Sequence, residues 1–216
     1  MALAVDGVIN FAFYSESPTD AALSNLGNEI LRLLLISVLF ADRSPDSAKG
    51  HTHMAKQPKI VDLAKVIFDI TEEHDVALKQ FLLLDTMGWG TPDRIKRALG
   101  ALQDMYPDLD YALHLHDTRG MGLANALAAW QVGVIRFDAA LGGLGGCPYA
   151  PGASGNICTE DLVHMFECMG IATGCDLDGL IAASATLPAL IGHDTPGQVV
   201  KAGKADRRYP LPEHAR

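Results

Sequence analysis

The sequence predicts a parallel α/β fold, with strands joined by crossover helices. Short apolar runs alternate with amphipathic stretches of helical period along most of the chain. Polar residues able to do chemistry gather just after the apolar runs, at the strand ends where parallel folds bind ligands. A third observation is negative: nothing like G-x-G-x-x-G joins a strand to a helix in the mononucleotide-binding manner. Periodicity by itself therefore leaves a (β/α) barrel and an open doubly wound sheet both standing.

Five strands are expected. GVINFAFY (7–14) is the first, followed by the helix AALSNLGNEILRLL (21–34), and ISVLFA (36–41) is the second. The stretch 42–57, DRSPDSAKGHTHMAKQ, has no period and many turn residues, so it reads as an exposed loop that carries His51 and His53. The helix PKIVDLAKVIFDITEE (58–73) and the strand KQFLLLD (79–85) come next. TPDRIKRALGALQDMY (91–106) starts with Thr91 as N-cap and Pro92 at the first helical position, where its missing N–H costs nothing. DYALHLH (110–116), the helix GMGLANALAAWQVG (120–133) and the strand GVIRFDAAL (133–141) complete the alternation. TEDLVHMFECMG (159–170) begins as the earlier helix does, with Thr159 followed by Glu160 and Asp161 at the positive end of the helix dipole. Its apolar face is expected to be Leu162, Val163, Phe166 and Met169. One domain is expected over 1–204, with a polar tail at 205–216.

Composition narrows the function. The 216 residues are 49% apolar and 20% charged, enough for one sizeable core. A net charge of −9 excludes the basic stripe that nucleic-acid binding needs, so any anionic ligand must be held by a few local groups. The most apolar run, LRLLLISVLFA (31–41), falls short of the roughly 20 residues that span a bilayer and carries Arg32. The start, MALAVDG, lacks the basic opening of a signal peptide. Cys147, Cys158, Cys168 and Cys175 show neither C-x-x-C pairing nor disulfide-scaffold density, which points to a reduced, cytoplasmic setting without structural zinc.

The chemistry centres on YALHLHD. On a strand, Leu113 and Leu115 face one way while Ala112, His114 and His116 face the other. Residues two apart lie about 7 Å apart, a span that two imidazoles can close onto one ion. Two hydrogen-bonded histidines of a polar interior would read the same way. The loop GGLGGCPYAPGASGN (142–156) follows the next strand and arrives on the same face. Asn156 adds a neutral oxygen to two imidazoles, a mixed set suited to Mg²⁺ or Mn²⁺. Cys147, on a glycine-rich loop able to move, is a candidate proton donor. Asp85, ending LLLD, either orients a ligand histidine or substrate or caps the following turn, and Asp117 and Thr118 share that ambiguity. His74, His164, His193 and His214 show no partner pattern and read as surface residues. Arg119 and Lys201 are candidates to hold an anionic ligand by charge alone.

LLLDTMGWGTPDRIK, HLHDTRGMGLANALAAWQVGV, FDAALGGLGGCPYAPGASGN and TEDLVHMFECMGIATG, in this order and spacing, resemble the C-terminal half of hydroxymethylglutaryl-CoA lyases, of the DRE-TIM metallolyase superfamily. The likeness is dense from about residue 79 to 204. It implies a TIM (β/α)8-type barrel, here incomplete, with about five βα units and the N-terminal ones missing. It also implies a divalent cation and retro-Claisen cleavage of a 3-hydroxyacyl-CoA to acetyl-CoA and a keto acid. Carried over by position, His114, His116 and Asn156 are metal ligands and Cys147 the catalytic loop cysteine. The family's Arg-Asp pair on its first strand has no counterpart: Asp6 has no preceding Arg, and Asp42-Arg43 is in reversed order. A barrel with strands missing exposes two edges, from which pairing into a homo-oligomer, a dimer, is expected.

Overall fold

The computed structural model describes residues 33–37, 60–73, 78, 80–146 and 152–208. The expected strand at 7–14 and the loop at 42–57 lie outside these residues, as does most of the helix at 21–34.

Four strands, β1 (Leu33–Ser37), β2 (Gln80–Asp85), β3 (Asp110–Leu115) and β4 (Arg136–Asp138), form one sheet in the order of the chain. Every pairing is parallel, with Leu35 beside Leu82, Leu82 beside Ala112, and Ala112 beside Arg136. The crossovers are α1 (Ile60–Glu73), α2 (Pro92–Met105) and α3 (Gly122–Trp130). A 3-10 turn (Leu141–Gly143) leads into the glycine-rich loop, and α4 (Thr159–Cys168), α5 (Leu177–Ser184), α6 (Leu187–Ile191) and α7 (Val199–Ala202) follow.

Strand alternation sorts the two faces of the sheet. Phe81, Leu83, Tyr111, Leu113, Leu115 and Phe137 join the helix-side core with Ile95, Leu99 and Leu102 of α2, Ala126 and Ala129 of α3, and Leu162 and Phe166 of α4. The other face carries Leu82, Leu84, Ala112 and His114, the side that lines the interior in a barrel. Burying those large side chains on one face fixes the register, because a slip of one residue would put His114 into the apolar layer.

Several boundaries differ from expectation. β1, Leu33–Ser37, includes residues of the expected helix, and residues 38–41 of the expected strand lie outside the described residues. LRLLLISVLFA is apolar along its length, so no period marks where helix gives way to strand. β4 spans three residues because Gly133, at φ +93°, closes a turn after α3, and Leu141 already starts the 3-10 turn. Thr91 does precede α2, but it caps through its backbone carbonyl, which accepts from Ile95 N–H at 2.9 Å, with no side-chain cap bond. Cys158, not Thr159, is the N-cap of α4, and Met169, expected on its apolar face, is exposed. At the far end, Ala205 of the expected tail donates its N–H to His164 Nε2 at 3.0 Å. His164, read as a lone surface residue, therefore ties the chain to α4, with Cys168 Sγ 3.6 Å from the same nitrogen.

Candidate metal and acyl-CoA site

The site assembles at the C-terminal edge of the sheet. β3 delivers His114 and then His116 on one face, and their Nε2 atoms stand 3.1 Å apart. Ligands about 2.1 Å from one octahedral cation, at right angles, are themselves about 3 Å apart. His114 Nδ1 donates to Asp138 Oδ2 at 2.7 Å, across the β3–β4 register that sets those two residues side by side. A proton fixed on Nδ1 leaves the Nε2 lone pair of His114 facing His116.

Asn156 arrives from the far end of the glycine-rich loop. It pairs with His116 in an isolated antiparallel bridge, flanked by Asp117 N–H to Gly155 O at 3.0 Å and Ile157 N–H to Leu115 O at 2.9 Å. In that pattern the two facing residues exchange no backbone bond themselves, the arrangement that brings side chains closest. Asn156 Nδ2 donates to Leu144 O at 2.9 Å, so its orientation is set, and its Oδ1 is buried without a partner. Among the described residues no three His, Cys, Asp or Glu side chains gather as ligands. The donor set is instead two imidazoles with an orphaned amide oxygen beside them, which fits a hard divalent cation that keeps open positions.

Electrostatics agrees with that use. Burial first, and then the neighbouring His114, lower the pKa of His116 to about 4, against an opposing pull from Asp138. A neutral imidazole is the form that ligates. Nδ1 of His116 is buried without a partner as well.

The loop's glycines have a packing role. At Gly155, φ is +117° and a Cβ would collide with the carbonyl oxygen of Gly143, so the two limbs of the loop can close only backbone against backbone. Leu144 O accepts from both Asn156 N–H and Asn156 Nδ2, which seals the loop's base. Cys147 lies outside the described residues.

Asp85 takes the alternative that the sequence left open. It is 1% exposed, and its carboxylate accepts from Trp89 N–H at 2.9 Å and Gly90 N–H at 2.8 Å, holding the turn after β2. Burial raises its pKa, and those backbone donors pull it back down. Asp117 likewise accepts from Gly122 N–H at 2.7 Å and so caps α3. Arg119 reaches the same turn as Asp85, donating to Met87 O at 2.9 Å and to Gly88 O at 3.3 Å. Lys201, on α7, is exposed.

Sequence reasoning missed four supports. Asp138 was read only as part of a strand; it comes beside His114 through the β3–β4 register, 24 residues on in the sequence. Glu160 and Asp161, read as dipole partners, are buried: Glu160 accepts from Gly142 N–H at 3.1 Å and from the Ser184 hydroxyl, and Asp161 accepts from Val199 N–H at 2.7 Å. Asn125 joins α3 to the turn after β2, donating to Gly90 O at 3.1 Å.

Known proteins are similar to the chain in sequence and fold. Over 133 residues the chain is 51% identical to an (R)-citramalyl-CoA lyase of Chloroflexus aurantiacus, covering 61% of this chain and 42% of that protein. A hydroxymethylglutaryl-CoA lyase of Bacillus subtilis is 38% identical over 147 residues, or 68% of this chain and 47% of the relative. The structure of an HMG-CoA lyase from Acinetobacter baumannii, in complex with coenzyme A and 3-methylmalate, superposes with a TM-score of 0.62 at 52% identity, covering 68% of this chain and 49% of that one. The chain thus spans about half the length of the relatives it matches. The HMGL-like family model matches residues 15–187, four-fifths of the sequence, and the chain belongs to the HMGL-like family.

Proposed function

We propose that the protein is a divalent-metal-dependent carbon–carbon lyase that cleaves a 3-hydroxyacyl-CoA to acetyl-CoA and a keto acid. The observation that carries this reading is the convergence of His114 Nε2 and His116 Nε2 at 3.1 Å, with the orphaned oxygen of Asn156 paired across from His116. When bound there, Mg²⁺ or Mn²⁺ supplies Lewis acidity to the hydroxyl and carboxylate oxygens of the substrate.

The chain's own residues do the rest. His114, His116 and Asn156 hold the cation, and Asp138 keeps the His114 lone pair turned toward it. The substrate hydroxyl gives its proton to solvent, its oxygen becomes the keto group, and the bond to the α-carbon breaks with its electron pair passing into the thioester enolate. The released enolate of acetyl-CoA takes a proton at that carbon, with Cys147 as the donor in this reading. Asp85 acts by fixing the turn beside the site, where Arg119 also attaches.

Hydroxymethylglutaryl-CoA, which yields acetoacetate, is the leading substrate. A citramalyl-CoA substrate is the second reading, favoured by the 51% identity to the Chloroflexus aurantiacus enzyme against 38% to the Bacillus subtilis lyase. Its acid arm is shorter by one methylene. The proposal extends to a homodimer, because β1 and β4 each pair on one side only among the described residues. A cytoplasmic setting suits the free thiols of Cys158, Cys168 and Cys175.

The test is release of acetyl-CoA from both thioesters by the purified chain, with Mg²⁺, with Mn²⁺ and with chelator. Metal-dependent turnover that His114→Ala abolishes is the expected result. Turnover no greater than that of His114→Ala would sink the enzyme reading.

A further inference from the structure

We propose that Arg119 is a fixed cation at the mouth of the site that receives an oxyanion of the substrate, a carboxylate or a phosphate. The inference rests on the acyl-CoA reading above and adds to it the group that recognises the substrate's negative charge.

Arg119 lies three residues past His116, on the loop from β3 into α3, at the same edge of the sheet as the imidazoles. Exposed arginines ordinarily sample many rotamers, but this one is held from three sides. Its Nη1 donates to the carbonyls of Met87 and Gly88, and Cζ stands 5.7 Å from the centre of the Trp89 ring. The two loops also meet beneath it, since a Cβ at Gly88 would lie 2.9 Å from Thr118 Cβ. Nε and Nη2 have no protein partner among the described residues, and no carboxylate there forms an ion pair with the guanidinium.

Such an anchor leaves the charge unspent. Carbonyls and a ring face orient the guanidinium, whereas a carboxylate would neutralise it. Asp85, close enough to feel the Arg119 charge, commits its oxygens to Trp89 and Gly90. The edge is otherwise acidic, with Asp85, Asp117 and Asp138, in a chain of net charge −9. An acyl-CoA with a carboxylated acyl part approaches as a polyanion and needs a local cation to offset that field. Arginine's planar fork suits carboxylate and phosphate oxygens, and holding it in advance reduces the entropy lost on binding. The hydroxyls of Thr86 and Thr118, on the two loops that Arg119 joins, are buried without partners, so the junction has further donors unspent.

Calorimetric titration of the full chain with Mg²⁺ present tests this, using coenzyme A and, separately, free 3-hydroxy-3-methylglutarate. Arg119→Met is compared with wild type, and Arg119→Lys, which keeps the charge and loses the fork, is carried in parallel in case the Met variant does not fold. A loss of roughly tenfold or more for one ligand with the other unchanged supports the proposal. If the affected ligand is coenzyme A, the oxyanion is a phosphate; if it is the free acid, the acyl carboxylate. A loosened turn would not discriminate between the two ligands, so equal loss for both, or no loss for either, overturns the proposal while leaving the lyase reading intact. Wild type that binds neither ligand overturns the acyl-CoA reading itself, and the role of Arg119 with it.

Discussion

Asp138 has more influence on this site than its place in a three-residue strand suggests. Its carboxylate is the partner that sets the His114 tautomer, and outer partners of ligand histidines commonly contribute 10–100-fold to metal affinity. Asp138→Asn is therefore expected to weaken Mn²⁺ binding by roughly that factor while the chain stays folded, as read by calorimetry with Mn²⁺. His116 gives a pH signature in metal-free buffer. Its folded pKa, about 4, lies below the ordinary histidine value of 6.5, so its contribution to stability is complete above 6.5 and is lost as pH falls toward 4. The loss amounts to about 3 kcal/mol, seen as a falling urea midpoint that flattens in His116→Gln. Asp85, with a raised pKa, acts in the opposite sense, which is why the variant comparison isolates His116. The histidine pair was legible because H-x-H on a strand puts two imidazoles on one face. Asp138 was not, because its partnership depends on a β3–β4 register that no local pattern prints.

At the scale of elements, α4 is the support on which the glycine-rich loop rests. Glu160 sits in its first turn with 0% exposure, and its two oxygens serve Gly142 at the loop's start and Ser184 of α5. Glu160→Ala leaves both donors buried without an acceptor and is expected to cost about 3 kcal/mol of unfolding free energy. Glu160→Gln, which retains one oxygen, should cost less; equal loss in urea titrations would contradict this account. The strands at 80–85 and 110–115 matched expectation because each is a short apolar run closed by polar residues. β1 was displaced because its segment is apolar throughout. In the loop, Gly155 is required by the approach of one limb to the other, a contact between residues 12 apart in sequence that a glycine-rich run does not by itself reveal.

For the molecule as a whole, the proposed site would link metal binding to folding, because an ion held by β3 and the far limb of the loop would stabilise only the folded chain. With metal at about 100 times its Kd, linkage adds about 2.7 kcal/mol. For a chain of this size that raises Tm by roughly 5–10 °C. The shift should vanish in His114→Ala, and scanning calorimetry with and without Mn²⁺ decides the point. The parallel α/β class was legible from the alternation of runs and helical stretches. The barrel came from resemblance, because alternation is common to barrels and open sheets and closure depends on contacts between strands far apart in the chain.

The Arg119–Trp89 contact has an optical consequence. The chain holds two tryptophans, Trp130 packed 6.3 Å from Phe166 in the helix layer and Trp89 beneath a guanidinium at the rim. Their emission divides the molecule into a core reporter and a rim reporter. Replacing Trp130 with Phe would leave Trp89 as the sole indole, a built-in fluorescent indicator of whatever displaces or engages Arg119.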